Sequence, residues 1–302
     1  MPGVRAGICH LPAVANPLRD KTEILITPEG GRLRAYVASL PAFHELLAFL
    51  VWKDLKVQVA QTTLGFGWLV LRPMLNVLVM SLVFGKLARL PSDGHPYLLF
   101  LLSAWLPWSY FSGVSSKATS SLLGNSSLVT KVYFPRLLLP TSLVLGGLLE
   151  FLIVFLVFVA LSLAMTGGLP LAGLLWLPLP LALLLLTTAG ASYWLAALAA
   201  QFRDVRNAAS YLLQLLMFLA PVIWPLSLLP QRFGASAESH WFTTLYGLYP
   251  MVGVVEGFRR ALLGGGEIPW QLLGLGFISA TVLFITGLVH FQRSEKRLAD
   301  EL

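Results

Sequence analysis

Charge is scarce in this sequence. Asp, Glu, Lys and Arg make up 12% of its 302 residues, where a soluble domain carries about 25%. That scarcity excludes an ordinary water-soluble domain, and 57% apolar residues fit a bundle solvated by lipid. Cysteine is nearly absent: Cys9 alone excludes an internal disulfide and a cysteine-based metal site. The one Gly-Lys pair, Gly85-Lys86, lacks both the upstream Gly and the following Ser or Thr of a phosphate loop, which excludes ATP hydrolysis by that route. No HExxH, CxxC or GxSxG occurs, which leaves no motif for metalloprotease, dithiol or serine-hydrolase chemistry. Residues 1–40 carry Arg5, Arg19, Asp20, Lys21, Glu23, Glu29, Arg32 and Arg34 without an apolar core, so they do not read as a signal peptide.

Long apolar runs stand where charge is missing. The runs 137–165 and 174–200 each exceed the roughly 20 residues that a helix needs to cross a bilayer. Water cannot satisfy backbone groups at that depth, so these segments must be helices. The pattern predicts an all-α polytopic membrane protein with six spans, at 64–87, 96–116, 137–165, 174–200, 208–229 and 270–291. A helix over 41–58 precedes them. Phe43, Leu46, Leu47 and Leu50 recur on one face of it, which suits a helix lying along the membrane surface. The aromatic-rich segment 230–269 is expected to form short re-entrant helices. The domain reading is a tail 1–38, an interface helix 39–62, a six-helix membrane domain 63–292 and a tail 293–302.

The net charge of +7 does not point to nucleic acid. Fifteen Lys and Arg residues fall on the side of both termini, and five on the other: Lys86, Arg89, Arg232, Arg259 and Arg260. The positive-inside rule then puts both termini in the cytoplasm, with the basic loops against an anionic leaflet. Arg72, beside Pro73, lies inside the first span and either snorkels or faces a wet cavity. Glu150 lies mid-span; it is protonated, paired across a dimer, or facing a channel. Ser192, Ala196 and Ala200 in span four, with Gly276 and Ala280 in span six, form small-residue rows suited to close helix packing within one subunit. Carboxylates are too few within the spans for a proton relay, so a transporter of this composition needs a partner that supplies energy.

Four blocks carry a resemblance: LGFGWLVLRPMLNVLVMSLVFGKLARLPSDGHPYLLFLLSAWLPWSYFS, SLLGNSSLVTKVYFPRLLLP, FRDVRNAASYLLQLLMFLAPVIWPLSLLP and YPMVGVVEGFRRALLG. In order and spacing they resemble the permease subunit of polysaccharide ABC exporters, over roughly residues 40–295. The resemblance implies a homodimer of six-span subunits in the bacterial cytoplasmic membrane. Two separate ATPase subunits, which use ATP and magnesium, drive export of a polyprenyl-diphosphate-linked glycan such as O-antigen, capsule or teichoic acid.

The resemblance also assigns places to residues. The connection 117–136 is similar to a coupling helix that docks on the ATPase, through Asn125, Leu128, Val129, Lys131, Val132, Tyr133, Phe134 and Arg136. Arg203, Asp204 and Arg206 form a second coupling point, and a positive-inside anchor in any case. Lys53, Lys56 and Arg72 are expected to receive the lipid diphosphate, with ordinary lipid-headgroup contact as the other reading. Trp68, Trp105, Trp108, Phe218 and Trp224 are expected to line the channel, because sugar C–H faces pack on aromatic rings; a membrane-interface belt is the other reading. Tyr246, Tyr249 and Phe258 are expected to form the external gate. Two other functions stay open: a permease for lipids or drugs, and a membrane enzyme acting on polyprenyl-linked sugars. The enzyme would need a cluster of carboxylates or His at one face, and the external side offers only scattered ones: Asp93, His95, Glu238, His240, Glu256 and Glu267.

Overall fold

A computed structural model describes residues 40–59, 65, 67–125, 128, 131, 134–228, 244–265 and 267–300. Every regular element among them is helical. After a short 3₁₀ turn come α1 (His44–Val59) and α2 (Gly67–Met80), the latter continued by a π-helical stretch, Ser81–Leu87. Then follow α3 (Tyr97–Ala118), a one-turn α4 (Ser121–Gly124), α5 (Leu138–Thr166), a short α6 (Leu171–Trp176), α7 (Pro178–Gln201), α8 (Val205–Leu219), α9 (Pro250–Leu263) and α10 (Trp270–Asp300).

Among the described residues, five helices are long and apolar enough to cross a membrane: Gly67–Leu87, Tyr97–Ala118, Leu138–Thr166, Pro178–Gln201 and Trp270–Glu295. In the expected fifth span, 208–229, the helix α8 stops at Leu219. At 1.5 Å per residue, the 15 residues of α8 reach about 22 Å, short of a hydrocarbon core of about 30 Å. The cause is local. Pro221 pushes the residue before it out of the helical region, and Ala220 sits at φ −73°, ψ 145°.

The core is built by α3, α7, α9 and α10 with α5 against α3. The most extensive pairing is between α7 and α10. A Cβ on Gly190 would lie 2.8 Å from the Phe284 amide nitrogen, and one on Gly287 would lie 2.7 Å from the Gly190 carbonyl oxygen. Small residues let the two backbones meet, as the small-residue rows suggest, although the tightest points are glycines outside those rows. Buried hydroxyls bond back to their own helices: Thr187 to the Leu183 carbonyl and Thr188 to the Leu184 carbonyl, both at 2.7 Å.

A second cluster joins α1 to the body. Phe43, Leu46, Leu47 and Leu50 pack with Leu122, Leu128, Phe134, Leu138 and Leu139. The face expected to meet lipid therefore meets protein. The opposite face, with Phe49 and Trp52 half exposed, is apolar as well. With apolar residues on two faces, periodicity alone could not say which one turns inward.

Two ends follow from the antiparallel packing. The near end holds α1, α4, residues 134–137, the turn before α8 and the end of α10. The far end holds the 88–96 loop, α6 and residues 264–265 and 267–269.

Candidate functional site: a broken helix, a charged cavity and the near-end surface

The break after α8 leaves carbonyls without helical partners in a buried stretch, Ala220 to Ile223. Irregular backbone survives there only if protein satisfies it. Here side chains do so. Tyr246 donates its hydroxyl to the Leu219 carbonyl. Arg259 Nη2 donates to the Pro221 carbonyl at 2.7 Å. Tyr97 donates to the Ile223 carbonyl at 2.7 Å. Trp224 stacks on Tyr246 with ring centroids 6.0 Å apart.

Arg259 is held at both terminal nitrogens. Its Nη1 donates to Glu256 Oε2 at 3.0 Å, and its guanidinium lies 3.9 Å from the centre of the Phe100 ring. Arg260 Nε takes the other Glu256 oxygen at 3.0 Å, and its Nη1 donates to the Gly265 carbonyl at 2.6 Å. The carboxylate and Arg259 are both nearly inaccessible, at 2% and 4% exposure. Buried charge needs such pairing. In the sequence, Arg259 and Arg260 counted only among the cations of the side opposite the termini; the i, i+3, i+4 spacing of Glu256, Arg259 and Arg260 was the available signal.

α9 is accordingly buried among α3, α7 and α10. Of the three expected gate residues, Tyr246 and Tyr249 do face the break, Tyr249 reaching the Leu216 carbonyl at 3.5 Å. Phe258 does not: it is fully buried, edge-on to Phe151 at 5.8 Å. Apolar content in 230–269 flagged membrane immersion but could not separate lid from core.

The second feature is a cavity of about 350 Å³ between the end of α1, α2, α3 and α5. Trp68, Arg72, Asn76, Trp105, Ser109, Lys117 and Glu150 line it. Lys117 Nζ donates to Glu150 Oε1 at 2.6 Å. Glu150 is thus paired within the subunit, by a residue that the sequence reading had placed in the cytosolic connection. Asn76 Nδ2 donates to the Arg72 carbonyl at 3.0 Å beside Pro73.

Of the cationic residues expected to receive diphosphate, Arg72 alone lines this cavity. Lys53 Nζ donates to Asn125 Oδ1 at 2.5 Å, and Lys56 lies 4.8 Å over the Trp52 ring. Asp54, beside Lys53, is 3.5 Å from the Ser142 hydroxyl; burial pushes its carboxyl above the usual carboxylate range, against the opposing pull of Lys53. Of the expected channel aromatics, Trp68 and Trp105 line the cavity, and Phe218 is exposed on α8. Trp108 is 3% exposed and packs on Phe111 at 5.6 Å, inside the subunit.

The third feature is the near end. Val129, Val132 and Tyr133 lie outside the described residues. Leu128 and Phe134 pack on α1, and Asn125 takes Lys53, so these three face the subunit itself. The Arg136 amide donates to Glu295 Oε1 at 3.1 Å, which ties the connection to α10. Lys131, Arg203, Asp204 and Arg206 are exposed. A short apolar-polar stretch could not show which of its apolar residues a neighbouring helix had already taken.

The sequence pattern of the ABC-2 type transporter family matches residues 45–263. The chain belongs to that family. This ABC-2 subunit is similar to the O-antigen export system permease protein RfbA of Myxococcus xanthus, with 30% identity over 262 residues that cover 86% of this chain and 96% of the relative. It is 26% identical to the protein of the same name from Klebsiella pneumoniae over 87% of this chain and 97% of the relative. It is 25% identical to the polysialic acid transport protein KpsM of Escherichia coli over 83% of this chain and 94% of the relative. ABC-2 subunits are transporter permeases, not enzymes, and work with a separate ATPase subunit that uses ATP and magnesium. Five apolar helices and this family make the chain a multi-pass membrane protein.

Proposed function

We propose that this ABC-2 subunit is the membrane half of an ATP-driven exporter of a polysaccharide linked to a polyprenyl diphosphate, and that it works as a homodimer with two ATPase subunits. The observation that carries this reading is end-to-end similarity to the Myxococcus export permease, which covers 96% of that relative. The fold supports it. A glycan is hydrated and cannot cross hydrocarbon, so it needs an enclosed path. The described residues of one subunit leave apolar faces exposed. α2 has one buried residue, Val77, and exposes Leu71, Leu75 and Leu78. α8 buries Ala209, Leu213 and Met217 and exposes Leu212, Leu215 and Phe218. Two copies meeting through these faces would bury them, with Trp68 and Phe218 beside the path.

Six crossings account for the chain's course, since α8 starts at the near end and α10 starts at the far end. The near end is then cytosolic, with Lys131, Arg203, Asp204 and Arg206 facing the ATPase. α1 lies at the interface, with Phe49 and Trp52 toward lipid. The sealed break and α9 form the external gate.

The test is genetic and chemical together. Deletion of the chain should abolish surface polysaccharide and leave polyprenyl-linked glycan inside the cell. Mass spectrometry of the transporter purified with its ATPase should find that glycolipid. Unchanged surface polysaccharide in the deletion strain overturns the reading.

A further inference from the structure

We propose that Arg72 and Lys117 are two cationic arms of a headgroup site for a polyprenyl diphosphate in the cavity between α2, α3 and α5, and that Glu150 limits how tightly that site holds its anion. The inference rests on the lipid-linked substrate proposed above. The cavity, about 350 Å³, falls at the small end of ligand-sized pockets, which run from roughly 300 to 1,000 Å³. A headgroup fits, and a polymer does not. Its charges are two cations against one carboxylate: Lys117 is paired with Glu150, while Arg72 has no acidic partner among the described residues. Intramembrane charge is costly and marks a functional site by default. Arg72 is exposed and has no acidic partner among the described residues, which leaves its guanidinium open to an anion from elsewhere.

Chemistry selects the anion. An ammonium has three donors, and Lys117 spends one on Glu150. Arg72 offers a planar fork that matches phosphate oxygens. Trp105, from α3, lines the same cavity with its ring, while its indole N–H is buried and has no acceptor among the described residues. Arg72 and Lys117 thus line a cavity that also has apolar lining, Phe151 and Val154. That combination suits a phosphate-bearing head on an apolar chain. Glu150 has two effects. With the cavity empty it keeps Lys117 pointed inward and compensated. With the anion bound it is a like charge beside it, which weakens the hold and favours release.

The two ends of one ion pair therefore give effects of opposite sign. The probe is farnesyl diphosphate, with farnesol as the headgroup-free control, bound to the full transporter in nanodiscs. Glu150→Gln should tighten diphosphate binding about tenfold, and Lys117→Gln and Arg72→Gln should each weaken it about tenfold, a change of about 1.4 kcal/mol. Lys117→Arg should keep binding, which separates charge from folding. Glu150→Gln should also slow export despite tighter binding. The proposal is overturned if Glu150→Gln and Lys117→Gln move binding in the same direction, if neither moves it, or if farnesol binds as well as the diphosphate. In those cases a wild-type chain that still delivers glycan leaves the export reading standing. Loss of the export reading shows instead as intact surface polysaccharide without the chain.

Discussion

Tyr97 donates its hydroxyl to the Ile223 carbonyl at 2.7 Å, so the first turn of α3 closes the open backbone beyond α8. The same ring lies over Gly85, where a Cβ would come 2.7 Å from Tyr97 Cδ1. The π-helical end of α2, the start of α3 and the break are thus one unit. π-helical turns recur at functional sites.

Tyr97→Phe should therefore loosen the break without disturbing the fold elsewhere. A buried carbonyl left without its donor costs about 1–3 kcal/mol. A lower unfolding temperature in detergent and a measurable ion leak in liposomes are expected. Wild-type tightness together with wild-type stability would mean that the hydroxyl does not seal the break.

Glu256 gives one oxygen to each of two arginines, and burial ranks them. Arg259 is 4% exposed and Arg260 32% on their side chains. Arg259→Met should cost about 3–5 kcal/mol, because it half-uncovers a buried carboxylate and frees the Pro221 carbonyl as well. Arg260→Met should cost clearly less, since solvent screens that partner. Chemical unfolding of the two variants checks the order, and the reverse order would remove Arg259 from the centre of the network.

Much of the architecture was legible because membrane solvation makes long apolar runs unambiguous. All five long helices fall where hydropathy puts them, within a few residues at each end. Span five was misread past Pro221, where a backbone rule outranks hydropathy. The site was less legible for a different reason. Trp105 and Trp108 are three residues apart on one helix with the same chemistry, yet one lines a cavity and the other is core. Only tertiary packing distinguishes them. Lys117 and Glu150 are 33 residues apart, so no local pattern announces the pair.

Gly190→Ala tests the α7–α10 seam. The added methyl would lie 2.8 Å from a backbone nitrogen, which cannot step aside as a side chain can. Overpacking of this kind costs about 1–3 kcal/mol. Gly274→Ala, on the same α10 but with open space around the new Cβ, should be neutral or stabilising by up to about 1 kcal/mol. Equal effects in a thermal-shift series would contradict the seam.

The α1 contact offers a pair of opposite effects. Leu50→Ala removes a fully buried side chain from the second cluster and should cost about 2–5 kcal/mol. It should detach α1 before the bundle melts, seen as faster amide exchange in α1. Asp54 works the other way. Its folded pKa is raised by burial, so its favourable contribution is complete below the ordinary carboxylate value of 3.8 and is lost as pH rises through the folded value. Asp54→Asn should then leave α1 docking at pH 7 unchanged or stronger, with less pH dependence. Weaker docking in that variant would show that the carboxylate helps through Lys53.

The path makes the last prediction. In one subunit Trp68 and Phe218 are 39% and 55% exposed, while Trp108 is 3% exposed. Exposure on a membrane subunit means lipid, partner or water, and a reagent can tell them apart. Cysteines at 68 and 218, built into a chain whose Cys9 has been replaced, should react with a membrane-impermeant maleimide when the ATPase is cycling. A glycan stalled in transit should protect both. A cysteine at 108 should stay unlabelled throughout, because packing and not sequence spacing decides access. If 68 and 218 react only with lipid-soluble reagents and a stalled glycan protects neither, those faces of α2 and α8 meet lipid, and the path runs through another surface of the dimer.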